Sequence, residues 1–505
     1  MSYLDFMAKP WSNSHPAYEG SVFSMSPAPE SATGEVILAS LYRSIGFALC
    51  SESKVSGNGR SFSKATLPTA LGKINNSTWS TLLKIIVDSP RQPNQSSMRF
   101  LSLNQIVPQA GLYSGSARLQ GNPWNPGALV QQIIRIGSAD DVQAKLLWKD
   151  LFHALSVSDG DDVWAIWLDE EFNRRSVVEH IWEPVSLSIS LPVLLESDRK
   201  DIQYPAKRFV QDLRAVIGAK SSMTRRQWMS LLESTLRLGV VSHTLWVCNI
   251  NHRIWRLIEA NLAEELPDDL SKVGKVSPSF FNVEGNLLVY GNKASHDIKN
   301  IISSYCAARL GINLVLWSLH KLAPESICSL NINSLASVDH LIKIIKTNKD
   351  RLKQEGMMEN FYSLRDKESK TISCKRNIGS NIIEFCQYTL GQRQTVDELL
   401  RGYDQGYFIK KRNESKRAPW IIGLGPVAVL AMTHCTLYKA AGPRSIQKLI
   451  NHMKWYGMEI RIDHVVSGDL GVTLRQLGLV LDSADAESGM LLEKPFEDFQ
   501  AGSLA

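Results

Sequence analysis

Residues 295–322 read SHDIKNIISSYCAARLGINLVLWSLHKL. Apolar residues recur every three or four positions, which is the period of one helix face. Ser295 suits an N-cap, Asp297 falls in the first turn where the helix dipole favours an anion, and Pro324 stops the chain soon after. This is the longest helical candidate in the sequence, with Gly311 expected to divide it into two helices. Working outward, Gly127 to Arg135, Asp140 to Leu155, Pro205 to Ile217, Thr224 to Leu238, His243 to Leu262 and Val338 to Glu355 read the same way. Trp164 to Leu168 and Val185 to Leu191 read as short strands. The fold class predicted is mainly α with small β elements (α+β), a multi-domain helical protein.

A chain of 505 residues gives a prior of about three domains. Residues 1–33 are rich in Ser, Pro and Ala without a sustained period and read as a flexible tail. Helical patterning begins at Glu35 to Leu49 and returns at Ser77 to Val87, where Ser77 suits an N-cap. The stretch 111–127, GLYSGSARLQGNPWNPG, has the composition of a boundary. The expected organisation is a tail over 1–33, a small helical domain over 34–127, a mainly helical central domain over 128–385 and a C-terminal domain over 386–505.

Within that last unit the reading is Thr395 to Arg401, Ile421 to Lys439 and Arg444 to Trp455 as helices. Met458 to Ile462 reads as a strand and Ser467 to Leu477 as another helix. Two short apolar pieces, Gly478 to Leu481 and Met490 to Leu492, then flank the polar turn DSADAESG. Helix, helix, strand, helix and hairpin is the order of a winged helix.

Composition excludes several classes. An apolar share of 44% with 21% charged residues argues against a mainly disordered chain, a collagen repeat or a disulfide scaffold. Seven scattered cysteines, an odd number without a C-x-x-C, fit reduced thiols in a cytoplasmic setting. No secretory leader pattern opens the sequence, and no run of 18 apolar residues occurs, so neither a leader nor a membrane span is expected.

The net charge of +6 is unevenly spread. Leu390 to Arg461 carries 12 Lys/Arg against 5 Asp/Glu, and Ile462 to Ala505 carries 2 against 8. Lys410, Lys411, Arg412, Lys416 and Arg417 fall in an expected loop between Tyr407 and Trp420, and Arg444 and Lys448 follow. Such a group can neutralise phosphates, with aromatics available to stack on bases. A second basic stripe, Lys343, Lys346, Lys349 and Lys353, has helical spacing beside Leu341, Ile344, Ile345 and Leu352. Ser467 to Leu477 offers Thr473, Arg475 and Gln476 to a groove, but Asp469 sits beside them.

Motifs for chemistry are sparse. Cys248 and His252 have C-x3-H spacing, yet a zinc site needs two further ligands and only His243 is near. His434 and Cys435 are adjacent and so diverge on a helix. Gly57 to Lys64 lacks the order of a phosphate-binding loop, and Gly423-x-Gly425-Pro426 places Pro426 where an N–H is wanted. No G-x-S-x-G occurs. Asp366 to Lys370 holds a Glu-x-Lys pair without flanking apolar strands. Asp159, Asp161, Asp162 and Asp169 bracket an expected strand at Val163 to Leu168, an arrangement that suits Mg²⁺.

Two stretches carry a family likeness. Residues 224–255, TRRQWMSLLESTLRLGVVSHTLWVCNINHRIW, resemble the helical middle of accessory proteins encoded in bacterial anti-phage defence clusters. Residues 442–496 resemble their winged-helix-type C-terminus. The resemblance implies a cytoplasmic bacterial protein acting with helicase, nuclease or modification subunits, and it assigns no functional residue.

The expected function is a non-catalytic accessory component of a bacterial multi-protein defence assembly that contacts DNA or partner subunits. Its contacts would be Lys410, Lys411, Arg412, Lys416, Arg417, Arg444 and Lys448, with no cofactor, no metal and no membrane. The alternatives are a divergent Mg²⁺-dependent nuclease and a pure scaffold anchored by Trp11 and Trp124.

Overall fold

The computed structural model describes residues 2–25, 34–47, 75, 77–79, 106–109, 126–175, 182–187, 194, 202–263, 278–328, 330–392, 405–413, 415, 417–482 and 490–496. In chain order the helices are α1 (Tyr3–Ala8), α2 (Pro16–Glu19), α3 (Gly34–Ile45), α4 (Pro126–Gly137), α5 (Asp141–Leu155), α6 (Val163–Arg175), α7 (Pro205–Gly218), α8 (Arg225–Leu262) and α9 (Ala294–Leu322). They continue with α10 (Pro324–Ile327), α11 (Leu335–Thr347), α12 (Lys349–Gln354), α13 (Met357–Lys367), α14 (Ser369–Ile372) and α15 (Asn377–Thr389). Last come α16 (Pro426–Leu437), α17 (Ile446–Lys454), α18 (Ile462–Val466) and α19 (Asp469–Gln476). Six short strands, β1 (Leu288–Val289), β2 (Ile409–Lys411), β3 (Trp420–Ile422), β4 (Met458–Glu459), β5 (Val480–Asp482) and β6 (Met490–Leu492), make three two-stranded ladders among the described residues.

The fold is built on α8 and α9. Helix α8 has 38 residues and runs for about 57 Å at 1.5 Å per residue. Thr224 caps it in a reciprocal box with Gln227: the Thr224 Oγ1 accepts from the Gln227 N–H, and Gln227 Oε1 accepts from the Thr224 N–H at 3.0 Å. The two helices expected over this stretch are therefore one. Gly239 leaves room for Phe209 of α7, whose ring lies 2.2 Å from where a Cβ would stand. Gly311 likewise does not divide α9. It admits the Trp255 ring of α8, which lies 2.4 Å from its missing Cβ. Close packing at each site outweighs the cost of about 1 kcal/mol for glycine inside a helix.

Other expectations change for local reasons. Val163 to Leu168 begins α6 rather than a strand, because the Asp162 carboxylate accepts from the Ala165 N–H at 3.1 Å and caps a helix. Residues 182–187 carry no strand, and the remainder of the second strand candidate lies largely outside the described residues. At the start of residues 77–79 the cap is Asn75, whose carboxamide oxygen accepts from Thr78 N and Ser77 Oγ. Trp420–Ile422 is strand β3, and the helix expected from Ile421 begins only at Pro426, after Gly423 and Gly425. The charged helix expected over 338–355 is split into α11 and α12 at Asn348. The expected boundary at 111–127 and the helix at 395–401 lie mostly or wholly outside the described residues.

Residues 2–25, expected as a tail, are docked. Phe6, Tyr18, Val22 and Phe23 are buried. Tyr18 donates to Asn251 Oδ1 on α8 at 2.9 Å, and the His15 N–H donates to Asn313 Oδ1 on α9 at 2.7 Å. A continuous apolar core joins Phe6 to Leu492. By length and composition α9 is apolar enough to cross a membrane, and 78% of its most apolar window is buried inside the fold.

Candidate nucleic-acid interface

The C-terminal unit begins with the hairpin β2–β3, paired antiparallel with Lys411 opposite Trp420. Helix α16 follows, entered by Gly425 and Pro426. Backbone at Arg444 and Ser445 then pairs with β6: Ser445 bridges Leu491 antiparallel, and the Leu492 N–H donates to the Arg444 carbonyl at 2.6 Å. Helix α17 comes next, then β4, which pairs in parallel with β1. Helices α18 and α19 lead into β5 and β6, an antiparallel hairpin with Leu481 opposite Leu491. The turn between them, 483–489, lies outside the described residues.

A buried polar cluster fixes this unit to α7. Asp212 accepts from Tyr456 OH at 2.7 Å and from His452 Nε2 at 2.8 Å, and Arg208 Nε lies 3.2 Å from its other oxygen. Arg208 Nη2 also donates to His452 Nδ1 at 2.7 Å. A guanidinium cannot accept, so Nδ1 is the bare nitrogen and the proton sits on Nε2. Burial pushes the Asp212 carboxyl up, but His452, Arg208 and Tyr456 outweigh it and hold it below the usual aspartate value. These four residues were not singled out in the sequence. Their spacing, Arg208 with Asp212 and His452 with Tyr456 each four apart, is the available signal.

The seven basic candidates divide by what holds them. Lys410 lies in β2, not in a loop, and pairs with Asp469 at the start of α19. Asp469 also accepts from Tyr290 OH at 2.9 Å. Burial raises its carboxyl, yet the Lys410 ammonium and Tyr290 bring it below the ordinary range. Lys411, also in β2, donates to the Ala418 carbonyl at 2.9 Å and lies 5.2 Å over the Trp420 ring. Lys448 donates to the carbonyls of Ala441 and Gly442. Arg412, Arg417 and Arg444 have exposed side chains, and Lys416 lies outside the described residues. The Lys410–Asp469 pair joins the basic hairpin to α19.

Comparison with protein-family models, curated proteins and solved structures gives no match to this chain.

The unit also exposes apolar side chains. Ile462, Val466, Val472, Leu477, Leu481 and Leu491 are 36–56% exposed. On α19 Gln476 is exposed, Thr473 donates to the Asp469 carbonyl, and Arg475 turns toward the Val466 carbonyl.

Three of the four acidic candidates, Asp161, Asp162 and Asp169, are held by neighbours. Asp161 accepts from Ser158 and pairs with Lys220 at 3.1 Å and Arg225 at 3.4 Å. Asp162 caps α6 and accepts from the Arg225 N–H. Asp169 accepts from Gln109 and Asn173, and Asp159 is exposed in a turn. The strand ends that would have presented them to Mg²⁺ are a helix. Cys248 is fully buried, and His243 packs beside the Trp246 ring. Among the described residues no group of three or more His, Cys, Asp and Glu side chains is placed to hold a metal ion. In the second basic stripe, Lys349 donates to the Ala263 carbonyl, while Lys343, Lys346 and Lys353 are exposed.

Proposed function

We propose that this protein is a non-catalytic component of a bacterial multi-protein assembly that contacts DNA phosphates through a winged-helix C-terminal unit. One observation carries the reading. The isolated bridge of Ser445 to Leu491 sets an extended residue between α16 and α17 against the last strand, and the chain then runs through α17, β4, α18, α19 and the β5–β6 hairpin. With β4, which pairs with β1, and α18 set aside, α16, the Ser445 bridge, α17, α19, β5 and β6 resemble the helix, strand, helix, helix, hairpin order of a winged helix. In this reading α19 takes the role of recognition helix, and the pair of Lys410 with Asp469 at its start ties the basic hairpin to it. The likeness of residues 224–255 and 442–496 to accessory proteins of anti-phage defence clusters supports a cytoplasmic setting with enzyme partners. The first of these stretches is mostly buried core, so it speaks for the scaffold rather than for a ligand.

Exposed arginines neutralise phosphates without reading sequence. The triple variant Arg412→Ala, Arg417→Ala, Arg444→Ala is expected to weaken binding to a short labelled duplex several-fold. It should also flatten the dependence of log affinity on log salt by about 2–3. Fluorescence anisotropy across a salt series measures both. Equal affinity and slope in variant and wild type would remove the assignment.

A second reading, contact with a partner subunit, is favoured by the exposed apolar side chains of α18, α19 and the β5–β6 hairpin. Charges on a recognition helix would serve DNA, whereas Val472 and Leu477 serve a protein surface. Val472→Asp with Leu481→Asp should abolish stoichiometric co-purification of a partner from the native host. Retention of the partner at wild-type level would count against it.

A further inference from the structure

Helix α9 carries Ser303 and Cys306 three residues apart, so both lie on one face. The short turn between α14 and α15 lays Cys374 across that face. Ser303 Oγ is 3.4 Å from the Cys374 sulfur, and Cys306 lies one turn along the same face, close enough to interact with that thiol. The turn is shaped to hold it there. Cys374 has φ +57° and Asn377 φ +56°, left-handed values that a side chain makes costly. Gly379, in the first turn of α15, lies so close that a Cβ would stand 3.1 Å from the Cys374 sulfur and 2.4 Å from the Thr371 carbonyl.

The two thiols are unlike. Interaction with Cys306 brings the Cys374 thiol down to about 7 against the effect of burial, helped by Ser303 and Lys299. The same interaction, together with burial, pushes Cys306 up. Cys374 is half-buried and reachable from solvent, whereas Cys306 is fully buried. Cys248, Cys386 and Cys435 are buried thiols pushed up by their apolar surroundings.

We propose that Cys374 is a peroxide-reactive thiol and Cys306 its resolving partner, so that oxidation ties α9 to the α14–α15 turn through a disulfide. In the first step the Cys374 thiolate attacks one oxygen of hydrogen peroxide. The O–O bond breaks, a sulfenic acid forms, and the departing hydroxide takes up a proton as water. In the second step the Cys306 sulfur attacks the Cys374 sulfur and the S–O bond breaks. The hydroxyl leaves with the Cys306 proton as a second water. Two thiols lose two electrons and two protons, and the peroxide is reduced by the same amount.

The test treats the full-length protein with stoichiometric hydrogen peroxide at neutral pH, blocks free thiols by alkylation and maps peptides by mass spectrometry. A Cys306–Cys374 cross-linked peptide, lighter than the reduced pair by two hydrogens and absent after dithiothreitol, is expected. Cys374→Ser should lose the cross-link and consume peroxide at least several-fold more slowly, with its fold checked by thermal melting. Cys306→Ala should stop at a Cys374 sulfenic acid that a dimedone probe traps. As a control, Cys328→Ser removes the one exposed thiol among the described residues and should leave the cross-link unchanged. Oxidation confined to Cys328, or equal peroxide consumption by Cys374→Ser and wild type, would overturn the proposal.

Discussion

His452 carries its one proton toward Asp212 because Arg208 occupies its other nitrogen, and this fixes how the C-terminal unit responds to acid. Burial lowers the His452 pKa, Asp212 works against that, and the net direction is down. Burial also brings His243 down to about 3, and burial with the His320 charge brings His15 down to about 4. Each group binds its proton less readily in the folded chain than in the unfolded one, where histidine titrates near 6.5. The stabilisation is therefore present above about pH 6.5 and is lost as the pH falls toward the folded values. For His243, which is buried throughout, the slope approaches about 1.4 kcal/mol per pH unit. Asp212 adds to the loss below about pH 4, since its folded pKa is also depressed. Denaturant midpoints should fall between pH 7.5 and pH 5, and the fall should be smaller in His243→Phe. A midpoint that does not move over this range would contradict the assignment.

Among the elements, the crossing of α8 and α9 is set by the place where a tryptophan ring replaces a side chain that glycine lacks. Gly311→Ala puts a methyl group into the Trp255 ring, and overpacking of this kind costs about 1–3 kcal/mol. Gly160→Ala, in an open turn with nothing within 4 Å of its Cβ, should be neutral or stabilising by about 0.4–1 kcal/mol. Equilibrium unfolding of the two variants checks the contrast, and equal effects would show that the ring moves aside freely. This crossing also shows how far a sequence can be read. Thr224, Asp297 and Pro324 announce helix ends locally, so the existence of α8 and α9 is legible. Whether Gly239 or Gly311 breaks a helix depends on Phe209 and Trp255 arriving from elsewhere in the chain, and no local pattern contains that. The strand misread at 163–168 has the same origin: a short apolar run has no period of its own, and the Asp162 cap decided it. At the candidate interface the charge excess was visible in advance. That Lys410, Lys411 and Lys448 are spent on Asp469 and on backbone carbonyls was not, because their partners are set by strand pairing and loop closure.

For the molecule as a whole, the N-terminal segment belongs to the core. Phe6, Tyr18, Val22 and Phe23 are buried, each large apolar side chain being worth about 1.5–3 kcal/mol, against a net stability of roughly 5–15 kcal/mol for a typical protein. Removing residues 2–25 would also leave Asn251 and Asn313 without the partners they hold in this segment. The truncated chain should melt well below the full one or fail to accumulate as folded protein, which thermal denaturation and gel filtration will show. An unchanged melting temperature would mean that the segment rests on the core without supporting it. Composition misled here because the apolar residues of this segment, set among serines and prolines, make no periodic signal. The order of synthesis gives that docking a further meaning. His15 must reach Asn313, 298 positions along the chain, and at roughly 5–20 residues per second the ribosome needs about 15–60 s to deliver that partner. For that interval the N-terminal segment lacks its partner on α9, and a chaperone that shields Phe6, Tyr18 and Phe23 would be holding open a part of the core that closes late.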